Sequence, residues 1–75
     1  MMGDDMPKFY ITFGQSHAHA FNGKTLDRNC VGVIDAKDYE GARVFAFQMF
    51  GSRWAMMYEK IPDMEFFPRG LISLS

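Results

Sequence analysis

The chain has 75 residues, including eight phenylalanines, seven methionines, three tyrosines and one tryptophan, and a formal net charge of −1 at pH 7. This length predicts one domain over residues 1–75, because so short a chain buries only about 60% of the surface that it exposes when unfolded. Residues 1–7 are expected to be flexible. The balanced charge gives no field that would steer the protein toward nucleic acid. No apolar stretch reaches the roughly 18 residues of a transmembrane helix, so we expect a soluble, cytoplasmic protein that does not associate with membranes.

The cysteine count and the bulky residues bear on assembly. Cys30 is the single cysteine, so a disulfide within the chain is excluded, and a lone thiol indicates a reducing setting. Domains of this size without disulfides or metals depend on unusually good packing or on a partner subunit. The excess of large apolar side chains predicts that some of them stay on the monomer surface, where apolar patches mark contact sites. We therefore expect a homo-oligomer or a protein that docks on another.

The first half of the chain predicts two strands. Residues 8–14, "KFYITFG", alternate between apolar and polar types and end at Gly14, which is typical of a strand with one buried face. The residues expected in the core are Phe9, Ile11 and Phe13. Residues 15–28 have no sustained period and contain the turn signal Asn22-Gly23, so they form a long loop or a wide hairpin connection. The apolar run of residues 30–36 predicts the second strand.

The period then changes to that of a helix. Asp38 can cap the free N–H groups, and Gly51 stands where a left-handed C-terminal cap is expected, which predicts a helix over residues 39–50. The residues expected to face the sheet, at the i, i+3, i+4, i+7 and i+8 spacing, are Ala42, Phe45, Ala46, Met49 and Phe50. Val44 and Phe47 fall outside this stripe. Either a loop covers Phe47, or these two residues form an interface with a subunit or partner.

The last third of the chain predicts two more strands. Residues 53–60, "RWAMMYEK", indicate a strand, although a short helix is also compatible with them. The residues expected on one face of this strand are Trp54, Met56 and Tyr58. Pro62 ends the element, residues 63–70 form a connection, and residues 71–75 form the last strand. The resulting order is β-β-α-β-β, and the short connections favour an α+β fold in which a small antiparallel sheet carries one helix on a face.

Both histidines, His17 and His19, lie two residues apart in a polar segment. They supply half of a zinc site, and a catalytic zinc needs a third ligand, which Asp27, Asp35 or Cys30 would have to provide. We therefore expect no metal and no cofactor. Cys30 falls in a strand and is expected to be a small buried hydrophobe. Because no nucleophile elbow, phosphate loop, dinucleotide fingerprint or H-E-x-x-H occurs, we expect no enzyme activity.

Recognition is the better interpretation of the remaining polar and aromatic residues. Arginine and tryptophan dominate interface hot spots, because they combine contact area with directional bonds; the alternative for each arginine is to lie over aromatic carbons. An aromatic platform for nucleic acid would need a basic groove, which the sequence does not offer, so nucleic-acid binding is not expected. The candidate binding residues are Gln15, His17, His19, Arg53, Trp54 and Arg69.

Four segments, "FYITFGQSHAH", "GKTLD", "DAKDYEGARVFAFQMFGSRWAMMYE" and "FPRGLI", resemble a family of small uncharacterised bacteriophage and prophage proteins. These proteins carry Y-x-T-F-G, A-R-x-x-x-F-x-x-F-G-x-x-W-A and P-R-G segments, none of which is an active-site signature. The likeness spans about residues 9–72. It places Gln15, His17 and His19 in the family's polar stretch, Arg53 and Trp54 in its G-x-x-W-A region and Arg69 in its P-R-G.

The resemblance implies that the chain acts by binding. We expect a non-enzymatic phage or prophage accessory protein that self-associates and binds a host macromolecule, in host takeover or against host defence. The alternative is a protein that binds a small anionic ligand or nucleotide through Gln15, His17, His19 and the arginines. A metal-dependent enzyme is the third hypothesis.

Overall fold

The computed structural model, which describes residues 6–74, contains six strands, one α-helix and one 3-10 turn. The elements are β1 (Lys8–Thr12), β2 (His19–Phe21), β3 (Lys24–Leu26), β4 (Val31–Asp35), α1 (Tyr39–Phe50), β5 (Met56–Tyr58), the 3-10 turn (Met64–Phe66) and β6 (Leu71–Ser73). Four strands form the main sheet in the order β5-β1-β4-β6, and β2 and β3 form a separate two-stranded sheet. The α+β class and the β-β-α-β-β order of the main sheet are confirmed.

The main sheet is mixed, which corrects the prediction of an antiparallel sheet. β1 pairs antiparallel with β4 and with β5, whereas β4 pairs parallel with β6. Residues 59–70 explain the difference, because they leave β5 at one edge and deliver β6 to the opposite edge. The three strand spacings between these edges amount to about 14 Å, well within the reach of that segment. The prediction rested on short connections, and this connection is long enough to cross the sheet.

The core lies between the main sheet and α1. Alternation along β1 buries Phe9, Ile11 and Phe13, as predicted. The pairing register places Ile34 of β4 opposite Phe9 and Met57 of β5 opposite Ile11, which extends the same apolar layer across three strands. The helix residues that face this layer are Ala42, Ala46 and Phe50, which are buried, and Phe45 and Met49, which are partly buried. The predicted apolar stripe of the helix is therefore confirmed.

The bounds of α1 are those predicted, and both ends are capped. Asp38 Oδ1 accepts a hydrogen bond from the Gly41 N–H at 2.7 Å, and the Gly51 N–H donates to the Phe47 carbonyl at 2.9 Å. Gly51 has φ 62° but ψ −130°, so the cap needs glycine without being the left-handed helical type that we expected.

Across residues 6–74, no helix combines the length and the apolar character that a membrane crossing requires.

Residues 15–28 are a wide hairpin connection between β1 and β4 and contain a tight hairpin of their own. β2 and β3 pair antiparallel with His19 opposite Leu26. Asn22 and Gly23, at φ 51° and 78°, form the two-residue turn between them, and positive φ at both central positions is characteristic of type I′. The strands are only three residues long, so no sustained alternation marks them in the sequence.

Hydrogen bonding beside the main sheet begins at Pro7, the second residue that the structure describes. The Pro7 carbonyl accepts a hydrogen bond from the Ala36 N–H at 3.1 Å, one residue before β1 begins. The prediction that residues 1–7 are flexible falls largely on residues 1–5, which lie outside the described part of the chain.

Candidate functional site

The candidate binding residues do not come together in one site. His19, Arg53 and Trp54 lie close to the C-terminal end of α1. Gln15 lines a groove together with Arg28 and Phe66, and Arg69 lies beside the segment that leads into β4. Each group is built by different elements and has its own surroundings.

His19 is held by structural contacts. Its Nε2 lies 2.8 Å from the Arg53 carbonyl oxygen, and because a carbonyl only accepts, Nε2 carries the hydrogen in this bond. The imidazole ring also packs 4.6 Å from the Phe50 ring and 5.7 Å from the Phe13 ring, measured between centroids. His19 therefore joins the β2-β3 hairpin to the helix and to the segment that follows it. His17 is half-buried, and its role in recognition stays a prediction.

The described residues do not assemble a metal centre around the histidines. Within residues 6–74, no three side chains of His, Cys, Asp or Glu come close enough together to hold a metal ion. The Nε2 of His19 already serves the Arg53 carbonyl. The two histidines accordingly differ in their surroundings, since His17 forms no hydrogen bond of this kind within the described residues.

Trp54 lies against the helix, which corrects its predicted place on a strand face with Met56 and Tyr58. β5 begins only at Met56, so the alternation of the strand does not reach Trp54. The indole Nε1 donates a hydrogen bond to the Gly51 carbonyl at 3.0 Å, and the ring meets the Phe47 ring edge-on at 5.4 Å. Glycine at the helix end thus turns the chain so that Trp54 folds back on α1.

We define the helix outer surface as Arg43, Val44, Phe47 and Trp54. Phe47 remains 45% exposed and Val44 47% exposed, although Trp54 covers one edge of Phe47. The guanidinium carbon of Arg43 lies 5.5 Å from the centroid of the Phe47 ring, a cation–π distance. A neighbouring segment therefore covers one side of Phe47 and leaves the other side open, and the role of Val44 and Phe47 in an interface stays a prediction.

Arg69 joins two segments of the chain. Its Nη1 lies 3.4 Å from Asp27 Oδ2, and its backbone N–H donates to the Asn29 carbonyl at 2.8 Å. One residue later, the Gly70 carbonyl accepts a hydrogen bond from the Val31 N–H at 3.0 Å. These bonds fix the start of β6 beside the start of β4.

Cys30 is fully buried, as predicted. Its Sγ accepts a hydrogen bond from the Asp27 N–H at 3.4 Å, and its S–H can donate to the Asp27 carbonyl oxygen, which lies 3.5 Å from Sγ. Burial is the main cause that raises the pKa of the thiol. A buried neutral thiol is a poor nucleophile, so the surroundings of Cys30 favour a packing role.

Two grooves lie beside the 3-10 turn, and Phe66 lines both. The first, which we call the polar groove, has a volume of about 490 Å³ and contains Gln15, Arg28 and Asn29. The second, which we call the tyrosine groove, has a volume of about 920 Å³ and contains Tyr39 and Tyr58. Apart from Gln15, none of these residues was a candidate from the sequence, because each groove joins segments that are far apart in the chain.

Comparisons of the chain with protein-family models, with curated proteins and with solved structures find no match. The resemblance to phage and prophage proteins stays a prediction. Function must accordingly be inferred from the surfaces described above.

Proposed function

We propose that the protein is a non-enzymatic phage or prophage accessory protein that self-associates and binds a host macromolecule in the cytoplasm of the bacterial host. The helix outer surface is the proposed contact. The observation that carries this proposal is the open Phe47 ring, held between the guanidinium of Arg43 and the edge of Trp54. The phage context is supported by the sequence resemblance alone.

The chemistry of this surface suits association with protein. Arginine and tryptophan are enriched among the residues that dominate binding energies, and they act from the centre of a patch. The Trp54 ring is already fixed by its bond to the Gly51 carbonyl, so little side-chain freedom remains to be lost on binding. Exposed Val44 adds apolar area beside Phe47. Burial of this area from water would provide the main driving force.

Polar groups border the apolar centre. Glu40 reaches Arg43 at 3.9 Å, and exposed Gln48 follows Phe47 on the helix. A rim of this kind keeps the monomer compatible with water and lets polar groups of a partner find hydrogen-bond partners. The arrangement supports a contact that forms reversibly and depends on few residues.

Sedimentation equilibrium of the full chain across micromolar concentrations tests self-association. We expect the average mass to exceed that of the monomer and to rise with concentration. Phe47→Ser should shift the equilibrium to the monomer, whereas Ile61→Ser, which removes an exposed apolar side chain in the tyrosine groove, should leave it unchanged. Circular dichroism of each variant checks that the fold is retained.

Binding of a host macromolecule is tested separately by affinity capture from a bacterial lysate with the wild-type chain and both variants. A component retained by the wild type and by Ile61→Ser, but lost with Phe47→Ser, supports the proposal. A monomer mass throughout, together with no component that depends on Phe47, would refute it.

A further inference from the structure

Phe66 is an exposed ring on a firmly held turn. It is the most exposed of the large apolar residues in the described chain, at 71%. Asp63 Oδ1 caps the turn by accepting the Glu65 N–H at 3.0 Å, and the Asp63 carbonyl accepts the Phe66 N–H at 3.2 Å. A ring presented on a backbone that is already ordered can stack on a planar ligand at little cost in conformational entropy.

The lining of the polar groove also carries groups that suit hydrogen bonding and charge. Across residues 6–74, the side chains of Gln15 and Arg28 have no hydrogen-bond or ion-pair partner, and Asn29 uses only its backbone groups. Amide side chains match the paired donor and acceptor edge of a nucleobase. A guanidinium matches the oxygens of a phosphate, to which it can donate two parallel hydrogen bonds.

The local charge at Arg28 is not cancelled by the neighbouring acid. Asp27 Oδ2 is paired with Arg69 Nη1 at 3.4 Å, and Asp27 Oδ1 accepts the Asn29 N–H at 2.9 Å. These two bonds also fix the turn that carries Arg28 and Asn29. The groove therefore offers one positive side chain on an ordered turn and favours an anionic ligand.

The tyrosine groove is larger, but its charged residues disfavour an anionic ligand. Its charged lining consists of two acidic residues, Glu59 and Asp63, and one basic residue, Lys60. An anion would meet net repulsion there. At about 490 Å³, the polar groove lies within the range of roughly 300–1,000 Å³ that is typical of small-molecule sites.

We infer that the polar groove binds a nucleotide, with the base stacked on Phe66 and read by Gln15 and Asn29, and the phosphate bound by Arg28. This relocates ligand binding from the histidines to the polar groove. The same chemistry could come from a free mononucleotide or from one unit of a single strand. The inference is independent of the helix outer surface, which shares no residue with the polar groove.

Nuclear magnetic resonance titration of the isotope-labelled full chain tests the inference. The probes are the four nucleoside 5′-monophosphates, the matching nucleosides, inorganic phosphate and a short single-stranded DNA. We expect saturable shifts of the Gln15 and Asn29 side-chain amides and of the backbone at Phe66 for at least one monophosphate. Binding that tightens with strand length identifies a nucleic-acid strand as the source, and equal affinity per site identifies the free nucleotide.

Matched variants separate the two parts of the ligand. Phe66→Ser should weaken both nucleotide and nucleoside by at least about fivefold, the lower end of base–aromatic stacking effects. Arg28→Gln should weaken the nucleotide but leave the nucleoside unchanged. Lys37→Gln removes one positive charge outside the polar groove, and Phe47→Ser removes one exposed ring outside it; both variants should bind like the wild type.

Three results would overturn the inference. The first is the absence of saturable shifts with every probe up to millimolar concentration. The second is saturable binding whose shifts lie outside the polar groove. The third is equal loss of affinity in Arg28→Gln and Lys37→Gln, which would indicate attraction by net charge. A well-dispersed spectrum of each variant establishes that the fold is intact.

Discussion

The Nε2 atom of His19 lies 2.8 Å from the carbonyl oxygen of Arg53, and this bond joins the β2-β3 hairpin to the segment after the helix. The same imidazole packs against the Phe50 ring at 4.6 Å. One histidine of the H-x-H pair is thus part of the framework.

Replacement of His19 by alanine should lower the free energy of unfolding by about 2 kcal/mol, because it removes a hydrogen bond worth about 1 kcal/mol together with the ring contacts. Urea denaturation followed by the fluorescence of Trp54 measures this. His17→Ala is the matched control and should change stability by less than about 0.5 kcal/mol. Equal effects of the two substitutions would contradict the assignment of His19 to the framework.

Gly32 occupies a position in β4 where the side chains of Leu74 and Ile11 fill the space that a Cβ would take. A Cβ there would lie 2.5 Å from Leu74 Cδ1 and 2.8 Å from Ile11 Cγ2. Gly32→Ala should therefore destabilise the fold by about 1–3 kcal/mol through overpacking, as measured by thermal or urea unfolding.

A double-mutant cycle with Leu74→Ala identifies the cause of that destabilisation. If the clash with Leu74 is responsible, Gly32→Ala should be less costly in the Leu74→Ala background than in the wild type, because the side chain that it meets has been shortened. Strict additivity of the two substitutions would mean that the loss arises elsewhere, for instance in the backbone of β4.

The sequence predicts those parts of the fold that depend on local period and capping. The bounds of α1 follow from Asp38, Gly51 and the apolar stripe, and the buried face of β1 follows from alternation. Trp54 shows the limit of this approach, since a pattern that extends past the true end of a strand assigns a side chain to the wrong face. The parallel pairing of β6 has no local sequence signal either, because it depends on the path of residues 59–70 across the sheet.

The candidate sites also include residues that the sequence could single out and a groove that it could not. Phe47 could be singled out because it breaks the helical stripe, and Arg69 because of its residue type. The polar groove could not be predicted, since Gln15, Arg28 and Phe66 meet only after β1 has paired with β4 and the segment before β6 has crossed the sheet. Proximity of this kind arises from topology, and neither spacing nor composition encodes it.

Asp38 caps α1 through its bond to the Gly41 N–H at 2.7 Å. Asp38→Ala should destabilise the protein by about 1 kcal/mol, the usual cost of losing an N-cap side chain. The loss matters more here because Gly41 lies in the first turn, where glycine itself weakens a helix.

Equilibrium unfolding in urea measures the effect of the cap, and Asp38→Ser serves as the control because a serine hydroxyl can accept the same bond. We expect the serine variant to retain most of the stability that the alanine variant loses. A serine variant as unstable as the alanine variant would assign the effect to the charge of Asp38 near the helix dipole instead of to the hydrogen bond.

Burial raises the pKa of the Cys30 thiol. The free energy of unfolding should therefore depend on pH in the alkaline range. The folded state holds the thiol proton more tightly than the unfolded state does, so this contribution is fully present below the unfolded pKa of about 8.5. This contribution to the free energy of unfolding declines as the pH rises from there toward the higher folded pKa, because the thiol of the unfolded chain ionises at a lower pH than that of the folded chain and so stabilises the unfolded state. Cys30→Ala removes this term and should show a smaller loss of stability between pH 7 and the alkaline range than the wild type.

Unfolding midpoints of both proteins over this pH range provide the measurement, and the difference between them cancels the titration of tyrosines and lysines. Alkylation by iodoacetamide offers an independent check on the same thiol. It should be slow in the native protein and fast in urea, since a buried neutral thiol reacts only when the chain opens. Rapid alkylation under native conditions, or a wild type whose stability follows that of Cys30→Ala at every pH, would show that Cys30 is accessible and not held neutral by burial.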